Sequence, residues 1–248
     1  MEKVIFRCVP LFVLALALDA QDAAVKVEVP KVAVEVSNGD VATRALIVSA
    51  TDPDQAGALF NEANFPKEKQ PDAVRRAYIE VQLQLLLDLA HRGKCRNALA
   101  NLETLGEEDT NVPFTLYGFG SFMKSAHFQY YLAVVENACG DEKGAKKRWS
   151  KLSRSSEPIE STEYVYPYLA AKSLGESDAR VRIDAALQAL EKTASNASLP
   201  AIAFSQGALL IAAGRTGDGE ALLRKALEAG DSFVQYLSLA VMAEASRK

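Results

Sequence analysis

Helical runs rich in alanine and leucine are cut by glycine at Gly93, Gly140, Gly175 and Gly214, and a second helical run restarts a few residues after each. The stretches LLLDLAHRGKCRNALANL (85–102) and GALLIAAGRTGDGEALLRKAL (207–227) show it most plainly. The breakers stand 47, 35 and 39 residues apart, a period at which two-helix units recur. This punctuation restricts the chain to stacked helical hairpins, because one hairpin has nothing to bury its apolar stripe against.

The first residues have the layout of an export signal. Lys3 and Arg7 precede the apolar run CVPLFVLALAL (8–18), and Ala15-Leu16-Ala17 and Leu18-Asp19-Ala20 both offer small-residue cleavage sites. The expectation is a signal peptide over 1–20, cleaved near Ala20, since the run is too short for the roughly 20 residues of a membrane span. No transmembrane span is expected after cleavage, and the mature chain is expected to be secreted or periplasmic. Residues 21–38 alternate valine with charge around Pro30 and read as an extended N-terminal arm or linker. Residues 39–248 form the helical repeat domain.

Within that domain the helix from Asp72 to Arg92 puts Val74, Tyr78, Val81, Leu85, Leu86 and Leu89 on one stripe, and Gly93 ends it. Further units span 126–152 and 200–229, another begins near Tyr164 with Pro167 starting or bending its first helix, and 232–248 is a closing helix. The segment 107–125 interrupts the pattern with Pro113, Gly118 and Gly120 and carries Phe114, Tyr117, Phe119 and Phe122. Those rings serve either as a partner anchor or, in the plainer reading, as packing of an irregular loop on the core.

These features resemble the tetratricopeptide repeat over residues 72–230. Small residues stand where paired helices cross, at Ala98, Ala145 and Gly219, followed by Leu102, Trp149 and Leu223. Seven residues before the turns stand Leu86, Ala133 and Gly207. The unit at Gly175 departs, with Arg180 and Asp184 at the matching places. Its apolar face runs instead through Ala179, Ile183, Ala186, Leu187 and Leu190. The resemblance implies an all-α fold of antiparallel hairpins stacked as a short α-solenoid, and protein–protein interaction as its use.

Cys95 opens the second helix of one unit, and Cys139 closes the first helix of the next. In a stack of parallel first helices those ends meet, so a disulfide is expected in an exported chain; two buried free thiols are the alternative. His91 and His127 lie in different units without a metal-ligand spacing, and no nucleophile motif accompanies them, so no catalytic set, metal or other cofactor is expected. A net charge of −4 and a single basic cluster, Lys143, Lys146, Lys147 and Arg148, give no footprint for nucleic acid.

The functional expectation is an exported, non-enzymatic scaffold that binds an unidentified protein or peptide. First-helix positions such as Gln82, Gln129 and Gln206 would line its groove. The alternatives are a cell-wall or carbohydrate-binding module, drawn from Tyr117, Phe119, Tyr130, Tyr131, Tyr164, Tyr166 and Tyr168, and an accessory subunit of an envelope enzyme.

Overall fold

At Gly93 the backbone turns to φ 70°, a left-handed conformation that glycine adopts without a Cβ clash. There the Gly93 N–H donates to the Ala90 carbonyl at 3.0 Å, and the Lys94 N–H reaches the Leu89 carbonyl at 2.8 Å. Together these two bonds close the preceding helix as a Schellman motif. The same pair of bonds recurs at Gly140, Gly175 and Gly214, so the four punctuation marks are one repeated device.

The computed structural model describes residues 41–62, 72–107, 118–194 and 199–247, all within the compact unit Val36–Lys248. The expected signal peptide (1–20) and arm (21–38) lie outside the described residues, as do Phe114 and Tyr117. Among the described residues twelve α-helices follow in order: α1 (Val41–Ser49), α2 (Pro53–Glu62), α3 (Asp72–His91), α4 (Cys95–Glu103), the short α5 (Gly120–Met123), α6 (Ala126–Ala138), α7 (Glu142–Leu152), α8 (Tyr166–Leu174), α9 (Ala179–Ala194), α10 (Pro200–Ala212), α11 (Thr216–Leu227) and α12 (Ser232–Ala245). A 3-10 turn, Thr162–Val165, precedes α8, and Pro167 sits in that helix's first turn as expected. No strand occurs among the described residues.

Consecutive helices pack in pairs because small residues let their axes approach. Ala98, Ala133 and Ala145 are fully buried. Gly207 and Gly219 bring α10 and α11 to backbone contact: a Cβ on Gly219 would lie 2.6 Å from the Gly207 carbonyl oxygen. The irregular unit after Gly175 buries the five residues expected of it, Ala179, Ile183, Ala186, Leu187 and Leu190.

The pairs are joined through their first helices. Helix α1 packs on α3, α3 on α6, α6 on α8, α8 on α10, α10 on α12, and α12 on α1. Helices α2, α4, α7, α9 and α11 each bridge two neighbours of that circuit from outside. The first hairpin and the closing helix α12 are therefore neighbours, where an open solenoid leaves its ends apart. The 118–125 segment packs onto the circuit: Phe119 stacks on Tyr78 at 5.6 Å, Phe122 lies under the guanidinium groups of Arg75 and Arg76, and Arg75 donates to the Gly118 carbonyl. Among its described residues, the aromatics serve packing.

Candidate functional site

Helix α3 carries one acidic side chain inside its apolar stripe, Glu80 between Ile79 and Val81, and all three are buried. The stripe faces the interior of the circuit, so the carboxylate needs partners there. It finds them on two other helices. The Nε2 of His127, at the start of α6, lies 2.8 Å from Glu80 Oε2, and the Tyr236 hydroxyl of α12 donates to the same oxygen at 3.1 Å. Gln84 Nε2 donates to Tyr236 Oη at 2.8 Å, and Nδ1 of His127 lies 2.8 Å from Tyr166 Oη on α8. Glu163 accepts from the His127 backbone N–H at 2.7 Å, placing a carboxylate at the positive end of α6.

Burial alone would strip the proton from His127. The charge and hydrogen bond of Glu80, with help from Glu163, outweigh burial and the opposing Arg76, and its pKa ends above 6.5. With imidazolium present, both ring nitrogens donate, to Glu80 and to Tyr166. Burial pushes the Tyr166 and Tyr236 hydroxyls well above their usual range, so both stay neutral. The side chains of His127 and Glu80 are 0% and 3% exposed, so the pair is enclosed by the helices around it. The cluster ties α3, α6, α8 and α12 together.

A cavity of about 460 Å³ lies where four inner helices converge. Helix α6 lends Tyr130, Tyr131, Val134 and Asn137; α8 lends Leu169, Lys172 and Ser173; α10 lends Ala208, Ile211 and Ala212; α12 lends Val241, Glu244 and Ala245. Trp149 of α7 and Thr216, the first residue of α11, complete it. The Tyr131 ring meets the His127 ring edge-on at 5.1 Å, forming a partition between cavity and buried cluster.

No family model, curated protein or solved structure matches this chain.

The lining carries one charge of each sign, and both side chains are engaged by the protein. Lys172 Nζ donates to the Ala212 carbonyl at the end of α10, where a cation is favoured. Glu244 faces His91 and Arg247, each at 3.5 Å. His91 is the last residue of α3. By contrast, the indole N–H of Trp149 is buried and has no acceptor from the protein.

None of Gln82, Gln129 and Gln206 lines this cavity. Gln82 and Gln206 are half-buried on α3 and α10. Gln129 is held by its outer neighbours: its amide donates to the Met123 carbonyl and accepts from Arg148, which also bonds Glu136. Cys95 and Cys139 form a disulfide with Cα atoms 5.1 Å apart, joining the start of α4 to the end of α6, as the stacking argument requires. Such a bond fits an oxidising compartment.

Sequence reasoning missed Glu80, Tyr236 and the pairing of His127. A carboxylate and an imidazole inside apolar helical stripes were the available signal. Tyr130, Tyr131 and Trp149 were singled out, but nothing local indicated that they share a wall.

Proposed function

We propose that this chain is a non-enzymatic binding module of an oxidising, extracytoplasmic compartment, and that the cavity between α6, α8, α10 and α12 is where it holds its ligand. The observation that carries this reading is the cavity itself. Four inner helices converge on it, its volume of about 460 Å³ falls within the roughly 300–1,000 Å³ of small-ligand sites, and apolar walls alternate with a few polar groups. The resemblance to tetratricopeptide repeats supports binding over chemistry. So does the enclosure of the His127–Glu80 pair behind Tyr131, away from anything the cavity admits. The disulfide supports the compartment. A protein or peptide partner, the first expectation from the sequence, would have to present a group that enters the cavity.

The test is capture from the native envelope or medium, with mass spectrometry of both proteins and small molecules. Wild type is compared with Ala245→Trp, which fills the cavity from its rim. A ligand or partner retained by wild type and lost by the folded variant supports the reading. Equal retention by both would move the binding surface elsewhere, and a turnover activity abolished by a point mutation would overturn the non-enzymatic role.

A further inference from the structure

The cavity offers a ligand three aromatic rings, apolar walls and no net charge. Tyr130 and Tyr131 meet edge to face at 5.2 Å, and Trp149 lies 6.4 Å from Tyr130, so one wall is aromatic. Lys172 donates to the Ala212 carbonyl and Glu244 lies 3.5 Å from both His91 and Arg247, so the lining carries one charge of each sign, each already engaged with the protein.

Hydrogen-bonding capacity of both kinds remains. Asn137, Ser173 and Thr216 donate and accept, and Glu244 accepts. A purely apolar side chain entering here would leave those groups unpaired, at a cost. A ligand that fits is uncharged, carries hydroxyls that both donate and accept, and has a C–H face to lay on a ring.

We infer that the cavity is a subsite for a neutral sugar residue, its C–H face against Tyr130 and Trp149 and its hydroxyls shared among Asn137, Ser173 and Glu244. The inference rests on reading the cavity as the binding site, and names the ligand class for it.

The experiment is saturation-transfer NMR and calorimetry on the full mature chain. The panel contains cellobiose, maltotriose, mannobiose and chitobiose, the anionic digalacturonate, and short end-blocked neutral peptides. The expected result is transfer from a neutral sugar, with affinity falling about tenfold in Tyr130→Ala and staying within about threefold in Tyr130→Phe, which keeps the ring. Ala245→Trp should abolish the binding. Sugar binding that both Tyr130→Ala and Ala245→Trp leave unchanged would place the sugar elsewhere and overturn the inference. Binding of a peptide or of digalacturonate alone, lost in Ala245→Trp, would overturn the sugar class while keeping the site. No binding across the panel would overturn the inference as well; the capture comparison with Ala245→Trp then decides separately whether the cavity is a site.

Discussion

His127 of α6 and Glu80 of α3 meet at 2.8 Å with both side chains enclosed, and Tyr236 of α12 shares the same carboxylate oxygen. Removing one partner leaves the other charge buried without compensation, an effect of roughly 3–5 kcal/mol in comparable pairs. His127→Ala is therefore expected to lower the stability to unfolding by that order. Replacing both, as His127→Leu with Glu80→Leu, should recover part of the loss. Urea denaturation of the single and double variants measures it; a loss for His127→Ala below about 1 kcal/mol would mean the pair is not buried as described.

The same contact sets a pH dependence. The folded-state pKa of His127 lies above its unfolded value near 6.5. The folded state thus binds the proton more tightly, and the stabilisation is complete below pH 6.5 and lost as pH rises through the folded value. Glu163, whose carboxyl burial pushes above 4.5, acts in the same direction at lower pH. Denaturation midpoints between about pH 6 and 9 are expected to fall for wild type and to stay flatter for His127→Gln. Parallel profiles would show that His127 does not titrate differently in the two states.

The hairpins were legible because their signals are local. A glycine that must take positive φ, as at Gly93, and small residues at the crossings, as at Ala145 and Gly219, write their conformation into neighbouring positions. The Cys95–Cys139 pairing followed from the same stacking. The closure of α12 onto α1 depends on the rotation accumulated from one hairpin to the next, and no single run of residues carries it. The cavity and the His127 cluster are products of that closure: Tyr236 reaches Glu80 across 156 residues. Gln129 was selected as a polar residue before a turn, yet its direction is set by Arg148, which bridges it to Glu136 on the outer side of α6.

The disulfide closes a loop with a sequence separation of 44 between α4 and α6. In the chain-entropy treatment a loop of that size restricts the unfolded chain by roughly 4 kcal/mol. The Cys95→Ser, Cys139→Ser double variant is expected to lose stability of that order, and wild type under reducing agent to match it. Guanidinium midpoints with and without reductant provide the measurement. No difference between oxidised and reduced wild type would show that the bond adds nothing to the native state.

Helices α10 and α11 touch through Gly207 and Gly219, where an added Cβ at either would lie within 3.0 Å of the other's carbonyl oxygen. Both positions are helical, so propensity alone would favour alanine by up to about 1 kcal/mol. The clash is with backbone, which moves only if the helices separate. Overpacking of this kind costs about 1–3 kcal/mol and should win. Gly217, two residues away in the first turn of α11, has nothing within 4 Å of its would-be Cβ. Gly219→Ala is therefore expected to lower the thermal midpoint and Gly217→Ala to leave it unchanged or raise it. Because the two substitutions are chemically identical, a difference between them isolates the helix–helix contact; an equal response at both sites would contradict the close approach of α10 and α11.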